Sequence, residues 1–427
     1  MVTQMNAERL EPADTGRSWR RTGSRGGRVL IYSHDSFGLG HLRRCRAIAH
    51  DLVERHKDLS VLILSGSPII GSFDFRSRVD FVRVPGVIKL RNGKYTSLSL
   101  HIDIQETLRI RSSIIHHTAL TFDPDVFIVD KEPLGLRGEV LPTLTHLKER
   151  GCRLVLGLRD VMDEPRLLIP EWRRKNVRPA LDTLYDEIWV YGLRDICDPL
   201  DGMPLSKGIR RKIHYTGYLR RPAPTDTSPP ADIPEEIGEN YILVTPGGGG
   251  DGEALVDWVL SAYEHDDGIP FPAIIVLGPF MPPEARAEFH ERAHALDNVH
   301  VMTFSARMES LLVGAVGLVA MGGYNTFCEI LSLDKRALIL PRTAPRREQA
   351  IRAERAADLG LVGMLAPEPP HDPRVMAAAL RDLPERPLPS SVVIPGLLDG
   401  LDEVHQRLLP WLGRTGEEES QVAAGRR

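Results

Sequence analysis

The strongest constraint on the fold is a pattern in which short apolar segments alternate with longer amphipathic segments along most of the chain. The apolar segments of the first half are 29–32, 61–64, 80–84, 126–129, 153–158 and 188–191. Apolar residues at helical spacing follow some of them, as in 39–54 and in 139–150, which Gly151 terminates. Continuously apolar strands that alternate with helices are typical of parallel sheets covered on both faces. The sequence therefore predicts an α/β protein.

The same pattern starts again after a proline-rich segment. Residues 220–239 carry prolines and charges but no long apolar run, and we expect them to form a linker. The apolar segments beyond it are 241–245, 273–277, 299–302, 317–321 and 337–340, and a last helix is expected within 396–412. With 427 residues, the chain has room for two domains of ordinary size. We predict two doubly wound, Rossmann-like domains, 28–219 and 240–395, which face each other across a cleft.

The composition excludes several classes of protein. The formal net charge is -4, whereas nucleic-acid-binding proteins usually carry a basic excess, so we expect no nucleic-acid partner. The cysteines lie far apart and form no CxxC pair; they are Cys45, Cys152, Cys197 and Cys328. This spacing indicates neither a disulfide framework nor a zinc site.

The two ends of the chain are polar. Residues 1–27 are rich in arginine and lack the apolar region of a secretory signal, and residues 413–427 form a polar tail. No apolar run approaches the ~20 residues that span a bilayer. We therefore expect a cytoplasmic protein with a disordered leader and a disordered tail.

The first candidate site is the loop between the first predicted strand and the first predicted helix. In open parallel sheets, ligands bind at the carboxyl ends of the strands. Gly38 and Gly40 allow tight turns and close backbone approach there, and His41 stands at the start of the helix. An imidazole in that position faces the cleft and can act as a general base. The alternative is that His41 caps the helix and that the glycines serve only the turn.

The second candidate site is a glycine run after the strand 241–245. Gly247, Gly248, Gly249 and Gly250 expose backbone N–H groups beside a helix N-terminus, which makes an anion site suited to a diphosphate. No GK[ST] follows, so this is not a Walker loop. The alternative is a merely flexible turn.

The third candidate site follows the strand 317–321. Gly322 and Gly323 begin the turn, Asn325 or Thr326 is expected to cap the next helix, and Glu329 stands one turn further on. This arrangement suits a second phosphate-binding helix N-terminus with an acid near a ribose. An ordinary capped helix, with an acid that favours the helix dipole, is the alternative.

A fourth loop, which leads out of the last predicted strand, is basic. Arg342, Arg346 and Arg347 either contact phosphate or are solvated, and the polar pair Glu348 and Gln349 follows them.

Two loops of the first half carry charges where a cleft should lie. Asp130 and Glu132 follow the strand 126–129, and Arg159 and Asp160 follow the strand 153–158. They can bind an acceptor or supply a second acid or base, and salt-bridged loop residues are an equal alternative. No spacing of His, Cys, Asp and Glu indicates a metal site.

Several of these segments, taken in order, resemble the GT-B glycosyltransferases, and among them the MurG-like family. The matching segments are the first loop with Gly38, Gly40 and His41, the glycine run 247–250, the segment 301–308 with Ser305 and Met308, the acid Glu329, and the pair Glu348 and Gln349. The resemblance implies that Ser305 and Met308 contact the base and that Glu329 binds the ribose. It also implies that the second domain holds the donor while His41 acts from the first.

The resemblance further implies an inverting glycosyltransferase that needs neither a metal nor a cofactor. The donor it implies is a nucleotide-sugar, with UDP as the expected nucleotide. The acceptor is unknown, and a lipid-linked or polysaccharide-linked acceptor fits the family. The segment 85–95, which mixes apolar and basic residues, either touches such an acceptor at the inner face of the membrane or is an ordinary surface loop.

Two other functions stay open at this point. Residues 38–45 also resemble the GxGHxxRC segment of nucleotide-sugar hydrolases, which share the fold and the histidine but use water as acceptor. A non-catalytic protein that binds a nucleotide-sugar is the second alternative, although such a protein has no use for a base at His41. Non-hydrolysing UDP-sugar 2-epimerases share the fold as well, but the sequence shows no set of epimerase acids.

Overall fold

The computed structural model describes residues 26–34, 40–90, 95–224, 226, 233–234, 237–238, 240–305, 307–366 and 368–412. The strands are β1 Arg28–Ser33, β2 Ser60–Ser65, β3 Val79–Arg83, β4 Val87–Lys89, β5 Tyr95–Ser97, β6 Val126–Asp130, β7 Arg153–Arg159, β8 Glu187–Tyr191, β9 Ile213–Tyr215, β10 Tyr241–Thr245, β11 Ala273–Val276, β12 Val299–Met302, β13 Ala315–Ala320, β14 Ala337–Ile339 and β15 Gly363–Met364. The helices are α1 Gly40–Arg55, α2 Ile104–Phe122, α3 Leu141–Glu149, α4 Pro165–Arg174, α5 Val177–Thr183, α6 Lys207–Arg211, α7 Glu253–His265, α8 Pro283–His294, α9 Met308–Gly314, α10 Tyr324–Ser332, α11 Glu348–Asp358, α12 Pro373–Asp382 and α13 Gly400–Leu408. None of these helices combines the length and the apolar character needed to cross a membrane.

The strands form two parallel sheets, one in each half of the chain. The first sheet has the order β3-β2-β1-β6-β7-β8-β9, and the second has the order β12-β11-β10-β13-β14-β15. A small antiparallel hairpin of β4 and β5 stands apart from both. The predicted doubly wound α/β architecture is therefore confirmed. We call the residues up to Leu219 the N-terminal half and those from Tyr241 the C-terminal half.

The topology places a crevice in each half. In the first sheet β1 lies between β2 and β6, and in the second β10 lies between β11 and β13, so the strand order reverses beside the first strand of each half. The loops on the two sides of such a reversal diverge, and ligands bind there, at the carboxyl ends of the strands. The predicted site loops all leave the sheets at these ends.

The apolar runs became strands because both faces of each sheet are covered. All five residues of β6 are buried, and so are all five of β10. The helix predicted over 139–150 is shorter than expected. Residues 136–138 form a separate 3-10 turn, in which Arg137 has a φ of +51°, and α3 begins only at Leu141.

The last helix returns to the N-terminal half. Val404 and Leu408 on α13 are buried, and Trp411 stacks on Trp189 of β8 with ring centroids 6.4 Å apart. The returning chain passes so close to Gly217, which has a φ of +86°, that a Cβ there would lie 2.2 Å from the carbonyl oxygen of Gly396. Glycine is therefore required at this crossing.

A buried ion pair joins the two halves. Arg352 of α11 donates to both oxygens of Asp160, which follows β7, at 2.6 and 2.7 Å. The Tyr218 hydroxyl donates to the same carboxylate at 3.0 Å, and Arg352 also donates to the carbonyl oxygen of Gly322 at 2.9 Å. Asp160 is fully buried and Arg352 is 2% exposed, so each charge depends on the other for its solvation.

Candidate functional site

Most of the residues that the sequence predicted for the site line one cleft between the carboxyl ends of the two sheets. The cleft has a volume of about 330 Å³. Its predicted lining residues are Gly40, His41 and Arg159 from the N-terminal half and Gly247, Gly248, Ser305, Met308, Gly323, Asn325, Thr326, Glu329 and Gln349 from the C-terminal half. Gly38 lies outside the described residues, so its predicted role stays a prediction.

His41 and Asp130 form a hydrogen-bonded pair at the N-terminal side of the cleft. His41 stands in the first turn of α1, and Asp130 is the last residue of β6, the strand next to β1. The distance from Nδ1 of His41 to Oδ2 of Asp130 is 2.5 Å. An ionised carboxylate only accepts hydrogen bonds, so Nδ1 carries the proton and Nε2 keeps a free lone pair.

Arg44 keeps the carboxylate of Asp130 ionised. It donates to Oδ1 from Nε at 2.9 Å and from Nη2 at 2.7 Å, and Nη2 also lies 2.8 Å from Oδ2. Burial alone would raise the pKa of Asp130, but the charges and hydrogen bonds of Arg44 and His41 outweigh burial and hold this pKa well below its usual range. Asp130 is therefore an anion that orients His41.

The surroundings of His41 favour the neutral form of its imidazole. Burial lowers its pKa below the ordinary value of 6.5, and the nearby charges of Lys131 and Arg44 lower it further, while Asp130 opposes them. A neutral imidazole with a free Nε2 can accept a proton from a hydroxyl group in the cleft.

The glycine run of the C-terminal half divides into two roles. Gly247, with a φ of +80°, and Gly248 are exposed and line the cleft, and the N–H of Gly247 donates to the Thr245 hydroxyl at 3.1 Å. Gly249 is buried, with a φ of +89°, and a Cβ on it would lie 2.4 Å from the carbonyl oxygen of Leu277. Gly249 thus serves close packing, and Gly250 is exposed but stands outside the lining of the cleft.

The N-terminus of α10 faces the cleft, but its predicted cap was wrong. Gly323 is the N-cap, no side chain caps the helix, and Asn325 lies within its first turn. The Asn325 side chain instead joins the two halves: its amide donates to the carbonyl oxygen of Gly40 at 3.0 Å, and its oxygen accepts from Arg221 at 2.7 Å. Gly322, with a φ of +73°, forms the turn before the helix.

Glu329, the predicted ribose ligand, is paired with an arginine from across the cleft. Arg43 of α1 donates to Oε1 of Glu329 and, at 3.1 Å, to Oε1 of Glu309. Burial raises the pKa of Glu329, and the charge of Arg43 opposes that shift. Sequence reasoning missed Arg43, since nothing in the α1 segment indicates its partners so much later in the chain.

An exposed aromatic ring stands beside the predicted base-binding residues. Phe304 is 54% exposed although it lines the cleft with Ser305 and Met308. A ring of this size usually buries its surface, and an exposed ring in a cleft offers a stacking face for a planar ligand. The sequence analysis did not single out this residue.

The polar pair at the start of α11 contacts the basic loop before it. The Gln349 side-chain oxygen accepts from the backbone N–H of Arg342 at 3.0 Å, and Glu348 accepts from the Arg342 side chain at 3.1 Å. Arg346 and Arg347 do not line the cleft, and the Arg347 side chain is 43% exposed. They bind Glu171 at 3.0 Å and Glu164 at 2.9 Å, both in the N-terminal half.

The structure separates two predicted acceptor-side residues from the cleft. Asp160 has both oxygens occupied by Arg352 and Tyr218, so it holds the halves together and offers no free atom to an acceptor. Glu132 accepts from Lys175 at 2.7 Å and lines a different cavity of about 630 Å³, which lies beside α3 and α5.

Within the segment 85–95, Val87–Lys89 forms β4 and Tyr95 begins β5, while residues 91–94 lie outside the described residues. Val87 is buried against Leu108 and Leu136, so part of the apolar character of this segment belongs to a small core. Leu90 is 43% exposed. Contact of this hairpin with an acceptor or a membrane stays a prediction.

Comparison with known proteins identifies the fold. No protein-family profile matches the chain, and no curated protein is significantly similar to it. TcCGT1 in complex with UDP is similar in structure at 12% identity, with a TM-score of 0.61 over 90% of this chain and 100% of that one. MurG of Acinetobacter baumannii matches at 13% identity and a TM-score of 0.55, over 90% of this chain and 99% of that one. UDP-GlcNAc 2-epimerase from Neisseria meningitidis, bound to UDP-GlcNAc, matches at 14% identity and a TM-score of 0.55, over 90% of this chain and 99% of that one.

The chain therefore has the GT-B fold expected from the sequence, which it shares with MurG. At these identities the similarity establishes the fold alone. Within the described residues, no three His, Cys, Asp or Glu side chains come together as a group that could hold a metal ion.

Proposed function

We propose that the protein is an inverting glycosyltransferase, which moves a hexosyl or N-acetylhexosaminyl group from a UDP-sugar to the hydroxyl group of an acceptor. The observation that carries this proposal is the His41–Asp130 pair, which stands on one wall of a cleft whose other wall carries two exposed glycines and a helix N-terminus. The structural neighbours that contain UDP or UDP-GlcNAc support a nucleotide-sugar as donor.

The donor would bind to the C-terminal half. Phe304 would stack on the base, Ser305 and Met308 would contact its edge, and Glu329 would bind the ribose once it shares or releases Arg43. The N–H group of Gly248 and the positive end of the α10 dipole would stabilise the negative charge that develops on the leaving diphosphate. These groups supply the stabilisation without requiring a metal.

The transfer would be a single displacement. The acceptor oxygen forms a bond to the anomeric carbon while the bond from that carbon to the diphosphate breaks, and the hydroxyl proton passes to Nε2 of His41. UDP leaves with the electron pair of the broken bond. Attack from the side opposite the leaving group inverts the anomeric centre.

Product analysis with UDP-sugars labelled in the sugar tests this proposal. We expect free UDP and a labelled glycoside when a cell extract supplies acceptors. Free labelled sugar as the only product would identify a hydrolase, and an unchanged UDP linkage with an epimerised sugar would identify an epimerase. Tight binding of UDP-sugar without any turnover would indicate a non-catalytic binding protein.

The pH dependence of kcat/KM provides an independent prediction. The base is active only when neutral, so activity falls as the pH drops through the pKa of His41. Burial lowers that pKa below 6.5, and we therefore expect the midpoint of the acidic limb to lie below pH 6.5. An acidic limb centred above pH 6.5 would contradict the environment described for His41.

A further inference from the structure

Arg43 reaches across the cleft from α1, the helix that also carries His41. Its two partners, Glu309 at the start of α9 and Glu329 of α10, belong to the C-terminal half. A single nitrogen of Arg43, Nη2, donates to Oε1 of Glu329 and, at 3.1 Å, to Oε1 of Glu309. All three residues line the cleft. The carboxylate that we assign to the ribose is therefore held by a residue of the opposite wall.

Glu329 depends on this arginine for its counter-charge. The Glu329 side chain is only 9% exposed, whereas that of Glu309 is 38% exposed. Burial raises the pKa of Glu329, and the charges of Arg43 and Arg221 oppose that shift, while the charge of Glu309 adds to it. The Nη2 group of Arg221 is engaged by Asn325, one turn earlier on α10, at 2.7 Å. Among the described residues, Arg43 alone donates a hydrogen bond to the Glu329 carboxylate.

The geometry leaves one oxygen of Glu329 for a ligand. Arg43 bonds to Oε1, and within the described part of the chain no donor bonds to Oε2. An ionised carboxylate has about four lone-pair sites that accept hydrogen bonds. Oε2 can therefore accept from a ribose hydroxyl while Arg43 stays in place, so that binding of the ribose does not require the ion pair to break.

We propose that Arg43 is a positioning residue for the donor, which holds the carboxylate of Glu329 in place so that Oε2 accepts from the ribose. Arg43 also keeps this nearly buried carboxylate negative. Because α1 carries both Arg43 and His41, the same ion pair connects the ribose site to the candidate base. This inference rests on the proposed function, since it takes the bound ligand to be a nucleotide whose ribose meets Glu329.

Titration of UDP into wild type and Arg43→Met tests this role. At neutral pH we expect the variant to bind UDP about tenfold or more weakly, because the carboxylate loses both its orientation and its counter-charge. Arg43→Lys keeps the charge and should recover part of the affinity. Arg55→Met is the matched control, since it removes an arginine of the same helix that pairs with Asp402 at 2.7 Å outside the lining of the cleft. It should bind UDP as wild type does.

The pH dependence of UDP affinity separates this role from a purely structural contact. Without Arg43, burial raises the pKa of Glu329 further, so the carboxylate is protonated at a higher pH than in wild type. The ratio of the UDP dissociation constants of Arg43→Met and wild type should therefore grow as the pH falls and shrink as it rises. Taking the ratio cancels the titration of UDP itself. A ratio that stays constant with pH would mean that Arg43 supports only the fold, which would contradict the proposal.

A double-mutant cycle tests whether Arg43 acts through Glu329. Glu329→Gln keeps the shape of the side chain but removes its charge, and in that background Arg43→Met should lower the UDP affinity no further. Additive losses would indicate that Arg43 contacts UDP directly, and they would overturn the proposal. A higher UDP affinity of Arg43→Met would overturn it too, because the arginine would then compete with the ribose for Glu329.

Failure of the proposed function gives a different result. If wild type does not bind UDP, the nucleotide site itself is wrong, and the role of Arg43 falls with it. If wild type binds UDP and Arg43→Met binds it equally well at every pH, only the role of Arg43 is wrong. Thermal unfolding without ligand shows whether each variant is folded, and Arg43→Lys provides the comparison if Arg43→Met is not.

Discussion

Replacing His41 by alanine is expected to lower sugar-transfer turnover by about 10²–10⁴-fold while leaving UDP affinity unchanged. The imidazole belongs to the N-terminal half, whereas the groups that we assign to UDP line the cleft from the C-terminal half. The measurement compares kcat with the UDP dissociation constant for wild type and His41→Ala. His290→Ala, which removes an exposed histidine on α8, is the matched control and should change neither.

The Asp130→Asn variant tests whether Asp130 and His41 act as a unit in the transfer. Arg44 offers only donors, so the new amide would turn its oxygen towards Arg44 and its NH₂ group towards Nδ1 of His41. Nδ1 must then accept, the proton moves to Nε2, and the base is lost through the wrong tautomer. We expect a loss of turnover close to that of His41→Ala, and no further loss in the double variant. Additive losses would mean that the two residues do not act as a unit.

The second large effect is on stability. Arg352→Met is expected to lower the free energy of unfolding by about 3–5 kcal/mol, because it leaves the buried carboxylate of Asp160 without its counter-charge. Chemical denaturation followed by fluorescence measures the change. Arg150→Met, which breaks a half-exposed pair with Asp123, is the matched control and should have a much smaller effect.

A double variant distinguishes the effect of the lost counter-charge from the effect of lost side-chain packing. Arg352→Met combined with Asp160→Asn removes both charges, so it should recover part of the stability lost by Arg352→Met alone. If the single and double variants are equally unstable, the loss comes from packing and not from the unpaired charge. If Arg352→Met costs no more than the Arg150 control, the pair does not hold the two halves together.

The sequence predicted the elements whose signals are local. β6 is an unbroken apolar run that is buried along its whole length, so its composition alone indicated a strand between two helical layers. The position of His41 followed from the same logic, since a loop after the first strand of a doubly wound sheet opens into the crevice. The glycine run 247–250 was predicted at the cleft for the same reason, and Gly247 and Gly248 line it.

The contacts that the sequence could not predict join residues far apart in the chain. Arg43 and Glu329 are separated by 286 positions, and Asp160 and Arg352 by 192. No local pattern encodes such partners. Asn325 shows the reverse error: its position suited a helix cap, but its side chain bonds to Gly40 of the opposite half and to Arg221. Long-range hydrogen bonds overrode the local preference.

Titration of UDP into wild type and into Gly248→Val tests the central claim most directly. Gly248 has no positive φ, and a Cβ on it would make an ordinary van der Waals contact of 3.4 Å with the Phe280 ring, so we expect the fold to tolerate the substitution. Because Gly248 lines the cleft, the larger side chain would fill the proposed diphosphate site. We predict that wild type binds UDP and that Gly248→Val, with unchanged thermal stability, does not. Equal UDP affinity in the two proteins, or no binding to wild type, would contradict a nucleotide-sugar site in this cleft.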